Sequence, residues 1–159
     1  MGCGWMVGES SPSRRLVPLP DHVQYLIIGA GTAGFSAIQA IRASDPKSKI
    51  LIIGEESETP YKRPPLSKSL WLTEDQKIVD SLRYRLAGGK ARTIFYEPPE
   101  YYRDPTELAF LENGGVALCR RTKVVRIDPE AHTALLSDGR RIRYDKCLIA
   151  TGVANFPWL

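Results

Sequence analysis

The sequence lacks a long apolar run, a cysteine pair and a cluster of metal ligands. No stretch of its 159 residues predicts a transmembrane segment, and residues 1–20 have no signal-peptide core. Cys3, Cys119 and Cys147 are far apart, which predicts individually packed thiols and neither a disulfide framework nor a redox dithiol. With only two histidines and no clustered ligands, a metal site is not expected.

The chain also lacks a strong charge of either sign. Its 22 Lys and Arg residues against 18 Asp and Glu residues leave a formal net charge of +4, spread along the sequence. This charge is compatible with nonspecific DNA binding and does not require it. A composition that is 43% hydrophobic and 25% charged is typical of a soluble globular domain with its own core.

The most informative segment is residues 23–34, VQYLIIGAGTAG. A β-rich run enters a glycine-spaced turn, and residues 32–43 follow with apolar side chains at helical spacing, so the G-x-G-x-x-G pattern lies between a strand and a helix. Such a turn accepts a pyrophosphate against its backbone and the first amides of the helix. The residues of this predicted dinucleotide site are Gly29, Ala30, Gly31, Thr32, Ala33 and Gly34.

A second apolar strand, residues 49–55, ends in a carboxylate. Glu55 lies 21 residues after Gly34, the spacing at which a dinucleotide fold places an acid on the adenosine ribose, and Glu56 is the adjacent alternative. A carboxylate here disfavours NADP, whose 2′-phosphate prefers an arginine. The competing interpretation is a glycine-rich turn of a parallel sheet that binds nothing.

Residues 58–72, ETPYKRPPLSKSLWL, predict a rigid proline turn leading into a short helix capped by Ser67. Arg63 and Lys68 are cations on this stiff loop, where they would meet a cofactor's phosphates or ring edge. An ordinary proline-rich connector with solvated charges is the alternative.

The remaining pattern completes an α/β fold. Residues 73–103 read as an insertion, residues 116–119 as a third core strand, and residues 124–128, 133–136 and 141–144 as a three-stranded antiparallel meander. A last apolar strand, residues 146–152, ends in Ala-Thr-Gly, where open α/β sheets accept ligands. Val124 would place its backbone beside an adenine or would simply be a buried valine. The arginines of residues 140–143 form a solvated face or part of a basic patch.

Several motifs together resemble the apoptosis-inducing-factor family of two-dinucleotide, glutathione-reductase-like flavoproteins. They are GAGTAG, the YKRPPLSKSLW segment within residues 55–71, the NGGV turn at residue 113, the SDG turn at residue 137 and YDKCLIATG from residue 144. The resemblance covers about residues 21–152. It is specific, because the RPPLSK loop and the long insertion separate this branch from disulfide reductases, whose redox cysteine pair is missing here.

The resemblance implies a Rossmann-like FAD/NAD(P)-binding domain in a protein that oxidises NADH. It places FAD contacts on residues 29–33 and on Glu55, Glu56, Arg63, Lys68 and Val124, with Lys68 near the flavin. It names no catalytic acid or base. It implies residence in the mitochondrial intermembrane space, with release to the nucleus in caspase-independent cell death.

Residues 153–159 do not resemble the family's continuation, and residues 1–20 read as a disordered tail without a visible mitochondrial presequence. We therefore expect residues 21–152 to be a partial FAD-binding domain. By itself this domain is expected to bind FAD weakly or not at all and not to oxidise NADH. A cytosolic location is the alternative to the mitochondrial one. The alternative from a different class is a non-enzymatic DNA- or protein-binding module in which FAD is structural or absent.

Overall fold

The computed structural model describes residues 18–86 and 89–152. The predicted tail and the segment 153–159 thus lie outside the described residues, except for residues 18–20. The strands of the described part are β1 His22–Ile28, β2 Lys49–Ile53, β3 Arg83–Tyr84, β4 Arg92–Thr93, β5 Tyr102–Arg103, β6 Gly115–Cys119, β7 Val124–Asp128, β8 Thr133–Leu136 and β9 Arg141–Ile149. The helices are α1 Thr32–Ser44, α2 Pro64–Ser67 and α3 Gln76–Asp80, with 3₁₀ turns at Pro99–Tyr101 and Leu108–Phe110.

Seven strands form one mixed sheet in the order β5-β6-β2-β1-β9-β8-β7. Strands β5, β6, β2, β1 and β9 pair in parallel, whereas β7, β8 and β9 pair antiparallel. Residues 50–53 of β2 are all apolar because the strand is covered on both faces there, and these residues are at most 1% exposed. The α/β fold class with a parallel sheet and an antiparallel meander is confirmed.

Each face of the sheet has its own covering. Helix α1 places Phe35 and Ile38 on one face, where Tyr96 and Tyr102 also pack. Leu108 and the inward side chains of the meander cover the other face. Burying each such side chain contributes about 1.5–3 kcal/mol relative to leaving it exposed, so the sheet interior supplies much of the stability.

The meander and the last parallel strand are one continuous element. Two strands were predicted, over residues 141–144 and 146–152, but β9 runs unbroken from Arg141 to Ile149. Residues 141–143 pair with β8, and residues 143–149 run beside β1. Asp145 lies within this strand, and its carboxylate is hydrogen-bonded to the ring of His22 on β1 at 2.7 Å.

The proline loop differs from its prediction in one respect. Ser67 is the last residue of α2 and not its cap; its hydroxyl donates to the carbonyl of Pro64. Pro64 and Pro65 begin the helix, since a proline needs no amide partner in the first turn. Within the region predicted as an insertion, β3 and β4 form a small hairpin, and β5 returns to pair with β6 at the sheet edge.

None of the helices within the described ranges combines the length and the apolar character that crossing a membrane requires.

Candidate functional site

The predicted site residues gather around one edge of the sheet. Strands β1, β2, β6 and β9 are parallel, so their carboxyl ends meet at this edge. Strands β2 and β6 lie on one side of β1 and β9 lies on the other, so the strand order reverses at β1. Open α/β sheets bind ligands at such a reversal point.

The glycine turn leaves β1 at this point. Gly29 has a φ of +114°, and a Cβ there would collide with the backbone of Ala150. A Cβ on Gly34 would collide with the carbonyl of Gly29, so this glycine lets α1 pack against β1. Gly31 is different, because a Cβ there would meet no atom within 4 Å. Protein packing explains two of the glycines, and the third borders open space.

The amino end of α1 faces that space. Its first intrahelical bond runs from the Phe35 amide to the Gly31 carbonyl at 3.0 Å. Among the described residues no side chain caps this helix, and its first turn contains no acidic residue. The amides of Thr32, Ala33 and Gly34 therefore present the positive end of the helix dipole to a ligand.

The acidic segment lies against the turn. A Cβ on Gly54 would come within 2.8 Å of the Ala30 Cβ, so the chain passes close to the turn just before Glu55. The Glu55 side chain is 66% exposed, and its carboxylate lies 3.6 Å from the ammonium of Lys123. Lys123 directly precedes Val124, which brings Glu55 and Val124 to the same corner of the site.

Glu56 has a different environment. Its carboxylate accepts a hydrogen bond from the Tyr61 hydroxyl at 2.7 Å and is paired with the Arg63 guanidinium at 2.5 Å. These bonds, from Tyr61 first and then Arg63, hold the pKa of Glu56 below its usual value, and the carboxylate raises the pKa of Arg63 in return. Glu56 therefore fixes the loop that carries Arg63, whereas Glu55 keeps acceptor capacity for a ligand.

Lys68 lines a groove of about 340 Å³ beside the amino end of α1, apart from the Glu56–Arg63 pair. Arg63 does not line this groove. The structure thus separates the two predicted cations: Arg63 is bound to Glu56, and Lys68 faces the groove. The groove residues are Thr32, Lys62, Pro64, Pro65, Lys68, Ser69, Tyr84, Leu86 and Tyr96.

Three residues of the site were not predicted. Lys62 and Lys123 are sequence neighbours of the predicted Arg63 and Val124, so a local charge count would have found them. Tyr96 gave no such signal, because its hydroxyl bonds the Thr32 hydroxyl at 3.0 Å across 64 residues of sequence.

The arginines of residues 140–143 do not act as one patch. Arg140 is partly buried and bonds Asp138 at 2.6 Å, whereas Arg141 and Arg143 are exposed on β9. In residues 18–86 and 89–152, no three His, Cys, Asp or Glu side chains group together to hold a metal ion.

The site as a whole combines uncapped helix amides, open space at Gly31 and a carboxylate with acceptor capacity. The amides suit a diphosphate, the space admits it, and the carboxylate suits vicinal ribose hydroxyls. The residues present fit the adenosine diphosphate part of a dinucleotide.

Comparison with known proteins agrees with this chemistry. The family model for pyridine nucleotide-disulphide oxidoreductases matches residues 23–158. The chain is 45% identical over 157 residues to a putative mitochondrial apoptosis-inducing factor 1 of Drosophila melanogaster, covering 96% of this chain and 21% of that protein. It is 42% identical to the mitochondrial apoptosis-inducing factor 1 of Dictyostelium discoideum, covering 83% of this chain and 23% of that protein.

Among solved structures, the NADH:rubredoxin oxidoreductase of Clostridium acetobutylicum superposes with a TM-score of 0.59 at 27% identity. That match covers 86% of this chain and 30% of the structure's chain. The chain therefore spans about a fifth to a third of the length of these similar proteins.

Proposed function

The chain belongs to the pyridine nucleotide-disulphide oxidoreductase family, and from this premise we propose that residues 29–34 and 54–56 hold the adenosine diphosphate half of FAD in an NADH-oxidising flavoprotein. One observation carries the proposal. The uncapped amino end of α1 faces open space at Gly31, with Glu55 beside it. A structural turn with no ligand has no need of that combination.

Most of the predicted residues have a role in this proposal. The amides of Thr32, Ala33 and Gly34 bind the phosphates, and Gly31 leaves room for them. Glu55 accepts hydrogen bonds from the ribose hydroxyls, and the backbone at Val124 lies beside the adenine. Glu56 anchors Arg63 and Tyr61 and so shapes the loop that carries Lys68 toward the ring half of the cofactor.

The activity of the whole protein follows from the cofactor. Bound FAD would accept a hydride from NADH, while this chain's residues bind and orient it. The similar proteins' names support this class: one is an NADH:rubredoxin oxidoreductase, and others are mitochondrial apoptosis-inducing factors. We extend the proposal to redox maintenance in the mitochondrion and to caspase-independent cell death.

The direct test is a titration of the ¹⁵N-labelled chain with ADP, FMN and 2′,5′-ADP, followed by NMR. ADP should shift the amides of residues 31–34 and 54–55 in a saturable way. FMN lacks the adenosine and should shift them less, and 2′,5′-ADP should bind more weakly because Glu55 repels a 2′-phosphate. Unshifted turn amides at millimolar ADP would refute the proposal.

NADH consumption with and without added FAD, measured beside a salt-titrated DNA-binding assay, tests the alternative function. A DNA-binding module would show affinity that falls steeply with salt and no dependence on FAD. A flavoprotein reductase would show NADH consumption only when FAD is supplied, in this chain or in a longer form of the protein.

A further inference from the structure

Tyr96 joins three parts of the site that are distant in sequence. Its backbone amide donates to the Pro60 carbonyl at 3.1 Å, and the Lys62 amide donates to the Ile94 carbonyl at 2.8 Å, so residues 60–62 and 94–96 are bonded side by side. Its ring stacks on Phe35 of α1 with centroids 4.3 Å apart. Tyr96 thereby fixes the proline loop to the amino end of α1.

The Tyr96 ring also holds the side chain of Lys62 in position. The Lys62 ammonium lies 5.4 Å from the ring centroid, within the range of a cation–π contact. Lys62 is half-buried, lines the same groove as Thr32, and forms no ion pair with any described residue. An ammonium has three N–H donors, so contact with one ring leaves donors for a ligand.

Lys62 and Arg63 are adjacent in sequence, but their side chains have different partners. Arg63 is bound to Glu56 and lies over the Tyr61 ring at 5.2 Å. Lys62 points to the other side of the loop, toward the groove at the start of α1, where the helix dipole already favours an anion. Of these two neighbours, Lys62 is the cation with donors left for an anionic ligand.

We propose that Lys62, positioned by Tyr96, contacts the second phosphate of the dinucleotide. This inference rests on the proposed function and adds a residue to it: the α1 amides hold the first phosphate, and the Lys62 ammonium holds the next one along the groove. Tyr96 is a positioning residue, because it acts through Lys62 and through the Thr32 hydroxyl.

The experiment compares AMP with ADP, which differ by one phosphate. The wild-type chain should bind ADP more tightly than AMP in the NMR titration. Lys62→Gln should weaken ADP binding about tenfold or more, the scale of one charge-assisted hydrogen bond, and should leave AMP binding nearly unchanged. Lys62→Arg should retain most of the ADP affinity. Lys47→Gln is the matched control, because Lys47 is an exposed lysine just before β2, at the opposite edge of the sheet.

A double-mutant cycle tests the role of Tyr96. Tyr96→Leu removes the ring and should weaken ADP binding about as much as Lys62→Gln, with little further loss in the double variant. Additive losses would show that Tyr96 supports the fold only and would overturn its positioning role. Equal weakening of AMP and ADP in Lys62→Gln, or no weakening, would overturn the phosphate contact while the proposed function stands. Failure of the wild type to bind either nucleotide would overturn both.

Discussion

The interior of the parallel strands and the carboxyl edge above it use their side chains in opposite ways. In the interior, Leu26, Leu51 and Ile52 are completely buried. At the edge, the end of α1 is uncapped, Glu55 is 66% exposed, and Ile149 at the end of β9 is 64% exposed. The interior encloses apolar side chains away from solvent, whereas the edge leaves polar groups open to it.

This difference distinguishes the residues that stabilise the fold from the residues that are available to bind a ligand. An exposed carboxylate, uncapped amides and open space add little to folding, so substitutions there should change ligand affinity more than stability. Interior substitutions should do the reverse. Matched pairs of residues, one held by contacts within the protein and the other open to solvent or ligand, test this separation.

The largest difference is expected between two leucines. Leu51→Ala should lower the free energy of unfolding by about 2–5 kcal/mol, because it opens a cavity where no side chain is exposed. Leu148→Ala should cost less than about 1 kcal/mol, because Leu148 is already 39% exposed. Urea unfolding monitored by circular dichroism measures both, and equal losses would contradict the distinction between the regions.

Next come two glycines of the same turn. Gly29→Ala should destabilise the fold by about 2 kcal/mol or more, because the new Cβ meets the Ala150 backbone at a positive φ. Gly31→Val should cost about 1 kcal/mol or less of stability, since its φ of −93° is ordinary, yet it should abolish ADP binding by filling the space for the phosphates. A Gly31→Val chain that binds ADP with wild-type affinity would refute the placement of the phosphates.

The third pair is Glu55 and Glu56, which are compared by their contributions to ADP binding. Glu55→Ala should weaken ADP binding by about 1–3 kcal/mol, the scale of charge-assisted bonds to a ribose, with little change in stability. Glu56→Gln should weaken ADP binding far less, because the Glu56 carboxylate is already bound to Tyr61 and Arg63. Isothermal titration calorimetry with ADP measures the affinity of both variants. A larger loss of affinity for Glu56→Gln would assign ribose binding to Glu56 and not to Glu55.

The smallest effect concerns pH. The pKa of Glu56 is lowered in the fold, so its contribution to stability is present above the ordinary carboxyl pKa of 4.5 and is lost as the pH falls through the lowered value. Because the pair is about half exposed, that contribution should be about 1 kcal/mol at most. Wild type should exceed Glu56→Gln in stability at pH 7, and the difference should shrink at pH 3. A difference that persists at pH 3 would assign the stabilisation to another group.

Local patterns predicted the elements because local physics decides them. The apolar runs of β1 and β2, the glycine spacing and the helical period after Gly31 each depend on neighbouring residues alone. The same holds for the turn before β9, where Gly139 takes a φ of +88°. The prediction for Ser67 was wrong because prolines, and not a hydroxyl, start α2.

The sequence by itself determined the α/β class, the glycine turn and an acid at the end of β2, since each depends on residues that lie close together along the chain. Only the tertiary structure decided how the two acids divide their roles, how β9 joins the meander to the parallel sheet, and how Tyr96 reaches Thr32 and Lys62. Those outcomes depend on contacts between residues far apart in sequence, whose partners are chosen by packing.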